Sequence, residues 1–81
     1  MKIPKLGTRV RVVWVDATAV IGSPLTEAKC VRCWTEGKLV KADDDFLVIA
    51  SSQYIEECSE SERVGDYTSL PMGMILSVTR L

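Results

Sequence analysis

Histidine is absent from the chain. That removes the side chain best suited to proton transfer near neutral pH, and the commonest nitrogen ligand for metals. No serine has an evident base partner, and no glycine-rich phosphate loop occurs. The expectation is a protein with no catalytic residues, not an enzyme. Aromatic residues are scarce at 6%. A core must therefore come from valine, isoleucine and leucine, in a chain whose abundant valine, isoleucine and threonine favour strands. No apolar run approaches the roughly 18 residues of a membrane-spanning helix. The stretch Met1-Lys2-Ile3-Pro4-Lys5-Leu6 has no apolar signal-peptide core. A cytoplasmic protein without membrane contact is expected, with Cys30, Cys33 and Cys58 reduced.

Nor does one sign of charge prevail: ten Lys and Arg stand against 11 Asp and Glu. Such a chain lacks the long-range attraction behind most nucleic-acid binding, so a nucleic-acid partner is not expected. The charges are unevenly placed all the same. Lys2, Lys5, Arg9 and Arg11 gather near the start, whereas Asp43, Asp44, Asp45, Glu56, Glu57, Glu60 and Glu62 fill the second half. Exposed charge is ordinarily solvated; the sharper reading is a dipolar molecule that docks one end onto a charged partner. What remains is a small globular chain. Its 81 residues allow a single domain, residues 1–81, and its 47% hydrophobic content excludes a disordered one.

The hydrophobic pattern is that of strands. Thr8 to Val15 alternates, with Val10, Val12 and Trp14 on one face and Arg9, Arg11, Val13 and Val15 on the other. The alternation stops from Asp16 to about Arg32, a long connection. Within it Ser23, Pro24 and Glu27 signal a helical turn or two over Pro24 to Cys30. A second strand runs from about Cys33 to Lys41, with a bend or bulge expected at Gly37. Asp43-Asp44-Asp45 is a tight turn into Phe46–Ala50, a strand apolar on both faces that calls for cover on both sides. Ser51 to Glu62 is polar and acidic. A fourth strand runs from Arg63 or Val64 to Leu70, and a fifth from Met74 to Leu81 follows the turn Pro71-Met72-Gly73. In the fifth, Met74, Leu76 and Val78 face one way and Ile75 the other, unless a bulge shifts the register. This order predicts an all-β fold, a five-stranded SH3-like small barrel with a long first loop.

Val13-Trp14-Val15-Asp16, Gly37-Lys38-Leu39-Val40-Lys41 leading into Asp43-Asp44-Asp45, Val48-Ile49-Ala50, and Leu70-Pro71-Met72-Gly73-Met74-Ile75 follow one another across most of the chain. In order and spacing they resemble a group of short proteins of tailed bacteriophages and prophages, which pair Trp-x-Asp after the first strand with Pro-x-Gly-x-Ile near the end. That group often has Ser after the Asp and Gly-Trp in the first loop; here Ala17 follows Asp16 and Ser23 follows Gly22. The resemblance implies a phage or prophage origin in a bacterial host rather than a chemistry.

Several residues qualify as sites. Cys30-Val31-Arg32-Cys33 has the spacing of a metal or redox pair. A structural zinc site wants four ligands, and a redox pair belongs beside a βαβ unit that is missing here. No metal or other cofactor is therefore expected, and the thiols read as buried or idle. Asp43-Asp44-Asp45 lacks the alternating spacing of a calcium loop and reads as a solvated turn. Trp14 and Asp16 stand where the first strand enters the long loop. Trp14 packs in the core and Asp16 caps a turn, or with Ala17 and Thr18 they form the wall and anchor of a ligand or partner site. Arg63 and Tyr67 are secondary candidates. An aromatic groove for proline-rich peptides would need Trp14, Trp34, Tyr54 and Tyr67 to converge.

The leading expectation is a non-enzymatic binding module whose partner is a host protein or a small host molecule, a defence signal among them. The alternatives are an Sm-like nucleic-acid-binding ring with Lys2, Lys5, Arg9 and Arg11 on its rim, and a phage assembly component. The apolar second face, with Val13, Val15 and either Leu47 and Ile49 or their alternates, suggests homo-oligomer contacts; the other reading has the long loop cover that face within one monomer.

Overall fold

The computed structural model describes residues 2–53 and 65–81. Five strands form one antiparallel sheet: β1 (Arg9–Asp16), β2 (Val31–Ala42), β3 (Phe46–Gln53), β4 (Gly65–Pro71) and β5 (Ile75–Arg80). Their order across the sheet is β4-β3-β2-β1-β5. The first four strands are a meander, and the last folds back beside the first. The sheet is open, with β4 and β5 as its edges. β3 lies inside it, its edges paired with β2 and β4, and the middle position belongs to β2; this pairing satisfies the backbone of β3 but covers neither of its faces.

The alternation read in β1 is the one that folds. Val10 and Val12 are fully buried, and with Leu39, Leu47, Ile49 and Leu70 they make the core; Trp14, Ile75 and Val78 pack against it, half-buried. Leu47 and Ile49 thus belong to the core face. Their alternates Phe46, Val48 and Ala50 belong to the other face, which continues across the sheet through Val13.

Among the described residues three irregularities interrupt the ladders, at Val40, at Leu76 and at Ser51 between β3 and β4. The expected irregularity at Gly37 lies elsewhere: Gly37 pairs regularly with Val10, and the β2–β3 register shifts between Leu39 and Lys41, so Val40 is the extra residue. Gly37 answers to a different constraint, the close approach of β3 (see Discussion). In β5, Ser77 pairs with Val13 but Ile75 with Trp14, which leaves Leu76 out of the ladder and 49% exposed. The bulge turns Ile75 onto the core beside Val78.

The expected helical turns over Pro24–Cys30 contract to one 3₁₀ turn, Leu25–Glu27. Ser23 makes no cap, because the residue at the turn's start is Pro24, in an extended conformation (φ −59°, ψ 147°) and without a side-chain cap bond. So short a helix needs a packed face to persist, and Leu25 is 87% exposed. A second 3₁₀ turn, Met72–Met74, joins β4 to β5.

The β2–β3 turn is held by Asp43. Its Oδ1 accepts hydrogen bonds from the N–H groups of Asp45 (2.8 Å) and Phe46 (3.0 Å), and Asp43 N–H donates to the Phe46 carbonyl (3.1 Å). The Phe46 and Asp45 N–H groups, with a smaller pull from Lys41, hold the Asp43 carboxyl below its ordinary value near 3.8. A carboxyl lowered on folding contributes stability above its unfolded value and loses it as pH falls through its folded value. Asp43→Asn should therefore melt below the wild type at pH 7, and the gap should close as pH drops beneath 3.8. Paired melts from pH 7 to pH 2 check this; a gap of constant size would contradict it.

Candidate functional site

The projecting part of the molecule is the far end of the β1–β2 hairpin. β5 pairs with β1 only from Val10 to Trp14, and β3 pairs with β2 only from Lys38 to Ala42. Beyond those limits β1 and β2 continue as a two-stranded ribbon to the pair Asp16–Val31. β2 begins two residues earlier than its sequence suggests, and residues 17–30 connect the strands.

Trp14 stands at the base of the ribbon on the core face, where its Nε1–H donates to Thr35 Oγ1 at 3.0 Å. Asp16 is exposed at the end of β1, and Ala17 and Thr18 are exposed just after it. The Thr18 hydroxyl donates to the Lys29 carbonyl and so ties the two sides of the connection together. Every residue from Asp16 to Arg32 is exposed. The apolar ones are conspicuous, with Ile21 94% and Leu25 87% exposed, and Val20 and Val31 also open.

The second face of the ribbon carries Trp34, which pairs with Val13 and is 65% exposed. The Arg11 guanidinium lies 5.4 Å from the Trp34 ring centre, and its Nε–H donates to Glu36 Oε1 at 2.6 Å. An exposed cation–π contact is worth about 0.5–1 kcal/mol, and it leaves Trp34 65% exposed. Sequence reasoning counted Trp34 only as a member of a groove. Its pairing with Val13 on the second face was the signal that marks it as a surface residue, and that pairing is visible only once the hairpin register is known.

The candidate residues fall in different places. Trp14, Asp16, Ala17 and Thr18 are together. Tyr67 is on edge strand β4, and the pairings Tyr67–Ala50, Ala50–Lys38 and Lys38–Arg9 set it level with the start of β1. That is three strand spacings across the sheet from β1, or roughly 14 Å, and seven residues along β1 from Asp16, or roughly 23 Å. Tyr67 and Asp16 do not share a site. Trp14 and Trp34 point to opposite faces, so these two do not converge on an aromatic groove. Arg63, Tyr54 and Cys58 lie outside the described residues.

Cys30 is exposed rather than buried, and Cys33 is half-buried opposite Trp14. Extended backbone through β2 separates their Cα atoms by roughly 10 Å, beyond the roughly 7 Å limit of a disulfide. Among the described residues no three His, Cys, Asp or Glu side chains are grouped to hold a metal ion, and no helix is long and apolar enough to cross a membrane.

No protein-family model, no curated protein and no solved structure matches the chain.

Proposed function

We propose that this chain is a non-enzymatic binding module of phage or prophage origin, an SH3-like barrel whose long β1–β2 connection docks onto a host protein. The strand order supports the barrel reading: a four-strand meander, one 3₁₀ turn, and a last strand beside the first. Bulges at Val40 and Leu76 supply the bending that lets so small a sheet coil.

The observation that carries the reading is the exposure of Ile21 and Leu25 on a connection tied at its base by Thr18 and Lys29. Large apolar side chains grouped on a projecting loop mark a contact surface. A protein partner fits better than a small host molecule, because small ligands call for enclosure and every residue from Asp16 to Arg32 is exposed. Trp14 and Asp16 then act from the base, setting the direction in which the connection leaves the sheet.

The test is the double substitution Ile21→Asp with Leu25→Asp. Both sites are solvent-facing, so the melting temperature should stay within a few degrees of wild type. Hot-spot side chains contribute about 2 kcal/mol each, and losing one weakens binding roughly 30-fold. Proteins held by the wild type from host lysate should be missing with the variant, and the purified partner should bind the variant at least 30-fold more weakly. Equal capture by both proteins would refute the reading.

A further inference from the structure

At the start of β1 a different chemistry gathers. Lys2, Lys5 and Arg80 rim a cavity of about 470 Å³, with Ile3, Pro4 and Val78 among its walls. We propose that this cavity binds a small organic phosphate, with the phosphate among the three cations and the apolar body against Ile3, Pro4 and Val78.

Four observations support it. First, both cationic walls are anchored. Gly7 N–H donates to the Leu39 carbonyl (2.7 Å), Leu39 N–H to Thr8 (2.9 Å), and Thr8 N–H to Lys5 (3.2 Å), so the segment carrying Lys2 and Lys5 is tied to β2. Arg80 pairs with Val10, and Leu81 N–H donates to the Arg9 carbonyl (3.0 Å). Second, the apolar walls are fixed as well, since Ile3 and Val78 pack against the core.

Third, the lining holds three cations and no carboxylate. Among the described residues the one ion pair is Arg11–Glu36, which leaves these three without a carboxylate partner. Three cations with no carboxylate partner among the described residues, around one concavity in a chain of net charge −1, are a local arrangement, not a share of a general positive surface. Fourth, the size fits. Small-molecule pockets run from roughly 300 to 1,000 Å³, which makes this one right for a phosphate monoester with an aromatic or similar body and too large for a bare phosphate. Arginine and lysine together suit such a group, the first by its forked donors and the second as a point charge.

The site is independent of the β1–β2 tip, and the test keeps the two apart. Isotope-labelled full-length protein at low salt is titrated with phenyl phosphate, AMP, inorganic phosphate and phenol, and with a short single-stranded RNA. Phenyl phosphate and AMP should shift the backbone amides of residues 2–9 and 78–81 saturably. Inorganic phosphate should bind at least about ten-fold more weakly, and phenol should leave the spectrum unchanged. Lys5→Ala with Arg80→Ala should weaken phenyl phosphate at least about ten-fold at unchanged melting temperature. The Ile21→Asp, Leu25→Asp variant should bind it like wild type. Absence of saturable shifts with both organic phosphates, or shifts that persist in the Lys5, Arg80 variant, would overturn the proposal. So would RNA binding tightly with a footprint running over Arg9 and Lys38, which would make this end a nucleic-acid surface.

Discussion

Gly37→Ala is expected to destabilise the protein by about 3 kcal/mol, at the top of the range for overpacking a core. Gly37 is buried in β2, and a Cβ there would run into the backbone carbonyl oxygen of Ala50 and lie 2.7 Å from the Ile49 Cγ2 methyl. The first obstacle is main chain, held in the ladder by pairing of Ala50 with both Lys38 and Tyr67. It cannot swing aside as a flexible side chain would. Relief requires β3 to move away from β2, which opens the contact of Leu39 with Ile49 on the core face. A domain this small has a stability of about 5–15 kcal/mol, and each kcal/mol shifts its melting point by roughly 4–8 °C. The variant should melt roughly 12–24 °C lower. Gly73→Ala is the control, since a Cβ at that position meets nothing within 4 Å. Thermal melts of the two variants beside wild type decide the matter. A Gly37→Ala protein that melts within a few degrees of wild type would mean that β2 and β3 do not approach as closely as described.

The strands were legible wherever alternation was local. Val10, Val12 and Trp14 identified the buried face of β1, and the Asp43 turn followed from a short run of aspartates ahead of apolar residues. What escaped depends on partners far along the chain. The true start of β2 was hidden because Val31 and Arg32 gain their strand geometry from Asp16 and Val15 across the hairpin, not from their neighbours. Gly37 looked like a bulge because a glycine in a strand often is one. The bulge falls instead at Val40, a residue with no such mark. The direction of Ile75 turned on whether Leu76 drops out of the ladder, which one strand read alone does not decide. For the candidate site, Asp16, Ala17 and Thr18 lie together on the connection that the sequence pointed to. The exposure of Trp34, and the meeting of Lys2 and Lys5 with Arg80 from the opposite end of the chain, are matters of register and chain return.

The second large effect is expected at Leu39. Its side chain is fully buried, and its backbone does three things at once. Its carbonyl accepts from Gly7, its N–H donates to Thr8, and it pairs with Ile49 one residue before the Val40 bulge. Truncation to alanine leaves those backbone bonds formally intact but opens a void under them. Leu→Ala changes in cores cost about 2–5 kcal/mol, more where the surroundings cannot collapse into the space. Here collapse is restricted. One neighbour is the segment ending at Gly7 and Thr8, which carries Ile3 against the core and is tied to Leu39 by two backbone hydrogen bonds. Another is β3, held by its ladders on both sides. The cost should therefore lie near 4 kcal/mol, a large share of the whole stability. Leu39→Met keeps the volume and should cost less than about 1.5 kcal/mol. Urea unfolding of both variants separates lost packing from lost backbone bonding. If packing dominates, methionine restores most of the stability and the amides of Gly7 and Leu39 recover their protection from hydrogen exchange. If Leu39→Met is as damaging as Leu39→Ala, the side chain is not filling a well-fitted space, and the core centred on Val10, Leu39 and Ile49 is looser than its burial implies.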